Sequence, residues 1–292
     1  MHAQEQGQDD VEVSGRTLTR RKVLKAAAGL GAAFGGYGFL GEPNWLEVTH
    51  TQIPVKGLPK PFEGYKFALV SDPHWPEGID QGFMTRVGDL IQLECVKAVL
   101  VPGDLVDQSS GKKVSLKGVF DNWTAPDGQF ATLGNHDHWS GAKHVTQELA
   151  ENTPLKLLDN EFHLIEKKGS AIAIVGVDDY TDGFMDVDKA FAGLDPEIPR
   201  ILMSHNPDVA HDMTGDYRVD LQVSGHMHGG QVNLFGWAPV TPSKYGQTFV
   251  RGLVQGRKNL VYVTRGICRT KIHLRVGSRP EVSIIELVSA NS

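Results

Sequence analysis

Short runs of apolar residues recur along this chain, and several of them end in a group of polar residues. Five runs have the length and the β-branched or large aliphatic content of buried strands. They lie at 65–71, 97–101, 129–133, 200–204 and 219–223. Apolar residues at helical spacing predict a helix over 81–94, and a second helix is predicted near 141–151. Strands that alternate with helices predict an α/β sheet.

Further strands are predicted outside this alternation. The runs 161–166 and 171–177 predict a hairpin that turns at Lys168-Gly169. Three more strands are predicted at 231–235, 260–264 and 281–287. The extra strands predict a second sheet packed on the first. The expected fold is therefore α/β, a four-layer helix–sheet–sheet–helix sandwich in one domain over 62–288, preceded by a linker and edge strand over 42–61.

The N-terminal 41 residues have a different pattern. A polar stretch over 1–18 precedes Thr19-Arg-Arg-Lys-Val-Leu-Lys25, and a weakly apolar run rich in Ala and Gly follows over 26–40. This order resembles a twin-arginine export signal. It implies that the twin-arginine machinery exports the folded protein to the periplasm or to the outer face of the cytoplasmic membrane. Since no Ala-x-Ala cleavage site is obvious, an uncleaved anchor at 26–40 stays open.

Composition narrows the class of protein. The 292 residues are 40% hydrophobic and 22% charged, which is normal for a soluble globular domain. The net charge of −6 comes without a basic patch, so a nucleic-acid partner is not expected. Cys95 and Cys268 are far apart and lack the CxxC spacing of a zinc site. Both are predicted to be buried core thiols, with a disulfide as the alternative.

Each of the five apolar runs is followed by residues of the types that serve as metal ligands in proteins. The groups are Asp72 and His74; Asp104 and Asp107; Asn135, His136 and Asp137; His205; and His226 and His228. Ligands bind outside the carboxyl ends of strands in open α/β sheets, so these groups are expected to meet. Gly225 and Gly229 give the last turn the freedom to direct both of its imidazoles to one centre. Mixed carboxylate, amide and imidazole ligands suit Mn, Fe or Zn.

In this order the groups resemble the five motifs of the calcineurin-like metallophosphoesterases. The resemblance implies that one metal ion is held by Asp72, His74, Asp104 and His228. It implies that a second ion is held by Asp104, Asn135, His205 and His226. Asp104 would then bridge the two ions. His136 would face the substrate as general acid or transition-state stabiliser, and Asp137 would orient its ring.

The resemblance implies a metal-dependent phosphoesterase, and the chemistry of these residue types fits that activity. Two ions about 3.5 to 4 Å apart can activate a shared hydroxide for attack on phosphorus and neutralise the phosphoryl oxygens. The motifs at 225–231, 242–246 and 264–266 resemble a bacterial YkuE-like subgroup, some of whose members are related to enzymes that cleave nucleotide-linked lipids. The expected function is an exported phosphohydrolase that cleaves phosphodiester or pyrophosphate bonds in an envelope nucleotide- or lipid-linked substrate.

Two alternatives remain open from the sequence. One is a phosphomonoesterase, and the other is a non-catalytic envelope protein with a structural metal site. Trp75 and Trp139 flank metal motifs and are expected either to wall the substrate pocket or to pack in the core. Asp178 and Asp179 follow the predicted hairpin, and surface turn positions are expected for them in preference to a cleft.

Overall fold

The structure, a computed structural model, describes residues 20–107, 113–268 and 273–290. Its strands are β1 (Glu47–Val55), β2 (Tyr65–Leu69), β3 (Ala98–Pro102), β4 (Gln129–Thr132), β5 (Lys156–Leu157), β6 (Glu161–Lys167), β7 (Ser170–Gly176), β8 (Arg200–Met203), β9 (Leu221–Ser224), β10 (Gly252–Gln255), β11 (Leu260–Val263) and β12 (Glu281–Ser289). Its α-helices are α1 (Arg20–Gly36), α2 (Gln81–Leu93), α3 (Asn135–Trp139), α4 (Ala142–Asn152), α5 (Val187–Phe191) and α6 (Val209–Asp212).

These strands form two sheets of six strands each. The order is β1-β12-β2-β3-β4-β5 in the first sheet and β10-β11-β9-β8-β7-β6 in the second. Strands β2 to β5 are parallel in the first sheet, and β7, β8, β9 and β11 are parallel in the second. The carboxyl ends of the parallel strands in each sheet therefore lie at one edge, where their loops can combine into a site.

The main core lies between the two sheets. Alternate residues of a strand point to opposite faces, so Phe67 and Leu69 of β2 face inward while Ala68 faces the helices. The buried residues between the sheets include Phe67, Leu69, Leu100, Phe130, Ile174, Met203, Leu221 and Tyr262. Burying this much apolar surface from water is the main stabilising contribution to the packing of sheet on sheet.

Helices cover the outer face of each sheet. Met84 and Val87 of α2 and Leu149 of α4 pack in one cluster with the outward residues of the first sheet. Phe191 of α5 packs with Val175 and other outward residues of the second sheet. The predicted four-layer helix–sheet–sheet–helix sandwich is thereby confirmed, and most of the predicted strands and both predicted helices lie within a few residues of the observed ones.

The strand predicted at 231–235 is wrong. A short 3₁₀ turn, His228–Gly230, precedes this segment, and Gly229, Gly230 and Gln231 have φ values of 60°, 78° and 52°. A left-handed backbone cannot continue as a strand. The segment instead makes isolated bridges, from Val232 to Val276 and from Leu234 to Trp237.

Two other expectations also differ from the structure. Asp178 and Asp179 are buried and are not surface turn acids. Cys95 is exposed rather than in the core, while Cys268 is buried, and the two cysteines do not form a disulfide. Cys95 has a φ of 51° and lies two residues after the end of α2, in a turn at the surface.

The N-terminal segment forms helix α1, which continues through Tyr37–Gly41 and Glu42–Asn44 without a break. By length and composition, Val23–Asn44 qualifies as a possible membrane span, with a mean hydropathy of 1.3. Only 6% of its most apolar window is buried in the domain. A signal sequence passes the same criteria as an anchor. Residues 1–19 of the predicted signal lie outside the described residues.

Candidate metal centre

The candidate ligands lie on the loops that follow β2, β3, β8 and β9 and at the start of α3. Five of them have a left-handed backbone, namely Asp72, His74, Asp104, His226 and His228, with φ between 46° and 70°. This conformation is uncommon for residues other than glycine and costs free energy, so a cluster of five such residues at strand ends indicates a functional constraint. Each loop turns sharply as it leaves its strand and directs a side chain to the same centre.

The first group of donor atoms comes from Asp72, His74 and His228, all of which are buried. Asp72 Oδ1 lies 3.3 Å from His228 Nε2 and 3.9 Å from His74 Nε2. The two Nε2 atoms are 3.1 Å apart. One carboxylate oxygen and two imidazole nitrogens at these separations fit around a single divalent ion.

The second group comes from Asp104, His205 and His226. Asp104 Oδ2 lies 3.2 Å from His205 Nε2, which is 3.2 Å from His226 Nδ1. Asn135 is buried nearby in the same pocket, and its Oδ1 has no hydrogen-bond partner among the described residues. A buried carbonyl oxygen without a partner is costly unless something else binds it, and a metal ion would do so.

Asp104 connects the two groups. The same Oδ2 that faces His205 lies 3.5 Å from His74 Nε2 in the first group. Its Oδ1 accepts a hydrogen bond from the backbone N–H of His136. The structure therefore brings six of the seven predicted ligands into two adjoining clusters with Asp104 between them, and the seventh, Asn135, lines the same pocket.

Electrostatics favour a cation at this position. Burial alone would raise the pKa of Asp104, but the imidazoles of His205 and His74 lower it well below its ordinary value. Burial lowers the pKa of His226 to about 4 and that of His228 to about 3, so both stay neutral, the form that binds metals. Burial opposes protonation of His205 as well, but Asp104 raises its pKa to about 10. Metal binding at the second group would release that proton.

Hydrogen bonds behind the ligands fix their orientation. His205 Nδ1 donates to the carbonyl of Pro102 at 2.9 Å, and His228 Nδ1 lies 3.4 Å from the carbonyl of Cys268. In both rings Nδ1 is engaged by a carbonyl, so Nε2 is the nitrogen left for a metal ion. The buried guanidinium of Arg275 donates to the same carbonyl of Cys268.

His136 is placed beside the ligands by a different acid from the one predicted. Its Nδ1 lies 3.2 Å from Asp107 Oδ2, and the same oxygen is 3.6 Å from His74 Nδ1. Burial lowers the pKa of His136, but Asp107 and Asp104 outweigh it and raise the pKa above its ordinary value. The sequence motif contains Asp107, but its spacing from Asp104 did not disclose this contact.

The role predicted for Asp137, orienting the His136 ring, is wrong. Its carboxylate is fully buried and accepts hydrogen bonds from the backbone N–H groups of Leu105, Val106 and Gly134. Successive residues of a helix point about 100° apart, so Asp137 on α3 faces the β3 loop while His136 faces the pocket. Through these hydrogen bonds, Asp137 connects the loop that carries Asp104 to the start of α3.

Replacing Asp137 with alanine is expected to lower the free energy of unfolding by about 3 kcal/mol or more, because each buried N–H left without an acceptor costs about 1–3 kcal/mol. Urea denaturation followed by circular dichroism measures this. Asp216→Ala, at an exposed acid, serves as the control and should change stability by less than about 0.5 kcal/mol. Wild-type stability of Asp137→Ala would contradict the assignment.

A pocket of about 490 Å³ opens over both groups. Its polar wall contains Asp104, Asn135, His136, His226 and His228. Its other lining residues include Trp139, Met227, Val232, Pro239, Val240, Pro242 and Leu274. Of the two tryptophans considered as pocket walls, only Trp139 lines it, with its ring centroid 4.5 Å from that of His136. Trp75 packs against the core and donates its Nε1–H to the carbonyl of Ser115.

The pocket wall contributed by Val232, Pro239, Val240 and Leu274 was not predicted. These residues lie in irregular segments whose composition carries no catalytic signal. Trp139, adjacent to the Asn135 motif, was the only apolar wall residue that the sequence suggested.

Comparison with known proteins agrees with this site. A family described as calcineurin-like phosphoesterase matches residues 65–230, which include every candidate ligand. The uncharacterized metallophosphoesterase YkuE of Bacillus subtilis is 30% identical over 286 residues, covering 94% of this chain and all of that protein. The phosphodiesterase YaeI of Escherichia coli is 29% identical, covering 93% of this chain and all of that protein.

A third relative acts on a named substrate. The UDP-2,3-diacylglucosamine pyrophosphatase LpxG of Chlamydia muridarum is 27% identical over 304 residues, covering 84% of this chain and 90% of that protein. The family match spans more than half of the chain, and the likeness to YkuE extends over nearly all of it. The predicted resemblance is confirmed, and this chain, a hydrolase of phosphoric esters, belongs to the calcineurin-like phosphoesterase family.

Proposed function

We propose that this metallophosphoesterase binds two divalent ions, Mn, Fe or Zn, and cleaves phosphodiester or pyrophosphate bonds in a nucleotide- or lipid-linked substrate of the cell envelope. The observation that carries the proposal is the position of Asp104. Its Oδ2 lies within 3.5 Å of a nitrogen in each donor group, so one carboxylate can serve two ions.

The donor groups divide the remaining ligands between the ions. Asp72, His74 and His228 would hold one ion with Asp104. His205, His226 and Asn135 would hold the other with Asp104. When bound, the ions supply a nucleophile at neutral pH and neutralise charge on the phosphoryl oxygens.

His136 is proposed as the residue that donates a proton or a hydrogen bond to the substrate. It lines the pocket beside Asp104, and its Nδ1 lies 3.2 Å from Asp107 Oδ2, which leaves Nε2 for the substrate. Its raised pKa favours the protonated ring, which carries positive charge toward the phosphoryl group or the leaving oxygen. Asp107 thus acts through His136 as a positioning residue.

The pocket wall supports a phosphodiester or pyrophosphate in preference to a monoester. Among the described lining residues there is no Lys or Arg to bind the second charge of a terminal phosphate. The apolar wall of Trp139, Val240 and Leu274 instead suits a base, sugar or acyl group on the far side of the scissile bond. The relatives named as a phosphodiesterase and as a UDP-diacylglucosamine pyrophosphatase support the same class.

A phosphoester panel on the purified full chain tests this function. The substrates are bis-p-nitrophenyl phosphate, p-nitrophenyl phosphate and a nucleoside diphosphate ester, each with Mn²⁺, Fe²⁺ or Zn²⁺, and bound metal is measured in the same preparation. We expect two equivalents of metal and faster turnover of the diester or pyrophosphate than of the monoester. A preference for the monoester would identify a phosphomonoesterase, and bound metal without turnover of any substrate would indicate a structural site.

Export is proposed from the N-terminal segment. Arg20 and Arg21 are exposed at the start of α1, and the apolar helix that follows lies outside the domain core. This arrangement supports a twin-arginine signal that delivers the folded protein to the periplasm or to the outer face of the cytoplasmic membrane. Residues 26–40 would hold it there if they are not removed.

Changing Arg20 and Arg21 together to lysine is expected to leave the protein in the cytoplasm, because the machinery recognises the arginine pair and not its charge. Cell fractionation with immunoblotting measures the distribution. Arg257→Lys, at an exposed site on the domain, is the matched control and should be exported normally. Unchanged export of the double variant would refute the signal.

A further inference from the structure

The loop 232–242 presents large apolar side chains to solvent. Leu234, Phe235, Trp237 and Val240 are 43%, 108%, 56% and 75% exposed. None of the eleven residues of the loop is charged. Paired backbone hydrogen bonds between Leu234 and Trp237, at 2.8 and 3.1 Å, close its tip into a tight turn. An exposed patch of this kind on a structured turn indicates an interaction surface.

A phenylalanine at position 235, at the tip of the loop, is energetically unfavourable for two reasons. Its φ of 55° is left-handed, where glycine or asparagine would be stable and a bulky aromatic residue is strained. Its side chain is fully exposed, so it makes no packing contact with the described part of the chain that would offset this cost. The fold alone therefore gives no reason for phenylalanine at this position.

The base of the loop lies close in space to the end of the N-terminal apolar segment. Asn233 N donates to the carbonyl of Val276 at 2.7 Å, and Arg275 N donates to the carbonyl of Gly38 at 3.0 Å. Gly38 also packs so closely on Leu274 that an added Cβ would lie 2.6 Å from its side chain. The segment 274–276 therefore joins the base of the loop to the point where the apolar segment meets the domain.

The pocket opens at the same place. Val240 of the loop and Leu274 of the connecting segment both line the pocket over the two donor groups. Leu40, just beyond Gly38, is 76% exposed. The apolar tip of the loop, one wall of the pocket and the end of the candidate membrane segment thus lie along one continuous surface of the protein.

We infer that this surface docks on a lipid bilayer, with Phe235 and Trp237 inserted at the interface and the pocket facing the lipid. Phe and Trp are suited to this position, because their rings are apolar and the Trp N–H can stay with the headgroups. A helix able to span or anchor in a membrane meets the domain beside the loop and would bring it to the bilayer. A lipid bilayer suits both the apolar helix and the uncharged aromatic loop, which lie at the same surface.

Docking on the bilayer would set the route by which substrate reaches the two donor groups. A phosphoester carried by an acyl-bearing lipid could enter the pocket between Val240 and Leu274 without leaving the membrane surface. This consequence rests on the proposed diesterase or pyrophosphatase function. The docking of the loop itself does not, so the two can fail separately.

Vesicle binding by the full chain tests the inference. Phe235→Asn with Trp237→Ser removes both rings, and neither residue lines the pocket. With phosphatidylcholine vesicles the partition coefficient should fall by about 10- to 100-fold, the range expected when two large apolar side chains stay in water. Leu93→Asn, at an exposed leucine that ends α2, should bind as the wild type does.

Fluorescence separates the loop from the N-terminal helix. Vesicles of brominated phosphatidylcholine quench tryptophans that lie in the bilayer, so Trp237→Phe should remove a quenched component of the wild-type emission. Trp123→Phe removes a tryptophan that is fully buried in the core and should leave the quenched component unchanged. If Trp237→Phe leaves it unchanged too, Trp237 is not in lipid and the inference is overturned.

Two further measurements distinguish the remaining outcomes. Sedimentation without lipid detects self-association, and loss of a dimer in the loop double variant with unchanged vesicle binding would assign the surface to a second copy of the chain and overturn the lipid assignment. The double variant should hydrolyse soluble bis-p-nitrophenyl phosphate at the wild-type rate. Failure of the wild type to hydrolyse any soluble ester would refute the proposed function and leave the lipid result standing.

Discussion

Asp104→Ala is expected to abolish hydrolysis and to reduce bound metal toward zero. Asp104 lies between the two donor groups, 3.5 Å from His74 Nε2 and 3.2 Å from His205 Nε2, so its loss removes a ligand from both ions at once. It also removes the carboxylate that raises the pKa of His205 and compensates the charge of its protonated ring. Metal content by plasma mass spectrometry, measured together with diester turnover, checks both effects.

The matched variant is Asp104→Asn, which keeps the size and one oxygen but loses the charge. We expect it to retain part of its metal and to turn over far more slowly than the wild type, because an amide cannot bridge two cations as a carboxylate does. Circular dichroism confirms folding of both variants. An alanine variant with two equivalents of metal and normal turnover would refute the two-metal arrangement.

His136→Ala is expected to lose about 10²- to 10⁴-fold in turnover, the range for a positioned acid or base, while its metal content stays at the wild-type level. The ring lines the pocket and lies outside the two ligand groups joined by Asp104, in a third cluster with Asp107 and His74. Diester kinetics and metal analysis on the same preparation separate the two effects. Loss of metal in this variant would identify His136 as a ligand.

Asp107→Asn provides the partner test, since Asp107 Oδ2 lies 3.2 Å from His136 Nδ1. If Asp107 acts through His136, it should lower turnover in the wild-type background and have little further effect once His136 is alanine. A double-mutant cycle measures this coupling. Equal effects of Asp107→Asn in both backgrounds would show that Asp107 acts elsewhere, for example through His74, which lies 3.6 Å away.

The sequence was informative about strands because each buried strand is a short apolar run with a clear end. Residues 65–71 and 200–204 were predicted this way, and β2 and β8 lie within them. It was less informative about short or exposed elements. Strand β10 alternates half-buried and exposed residues at a sheet edge, and helices α3, α5 and α6 have only four or five residues, too few for helical periodicity to appear.

The sequence by itself determined the chemical types at the site and their order, because metal ligands must follow strands whose carboxyl ends meet. Only the tertiary structure decided which carboxylate lies beside the ring of which histidine. Asp137 is the neighbour of His136 in the chain, but helix α3 turns it away to three backbone N–H groups, and Asp107 arrives from the β3 loop instead. The loop around Phe235 and the end of the N-terminal segment, more than 190 residues apart in sequence, likewise come together in the fold through segment 274–276. Contacts of this kind depend on where distant loops end in space, which local composition and periodicity do not encode.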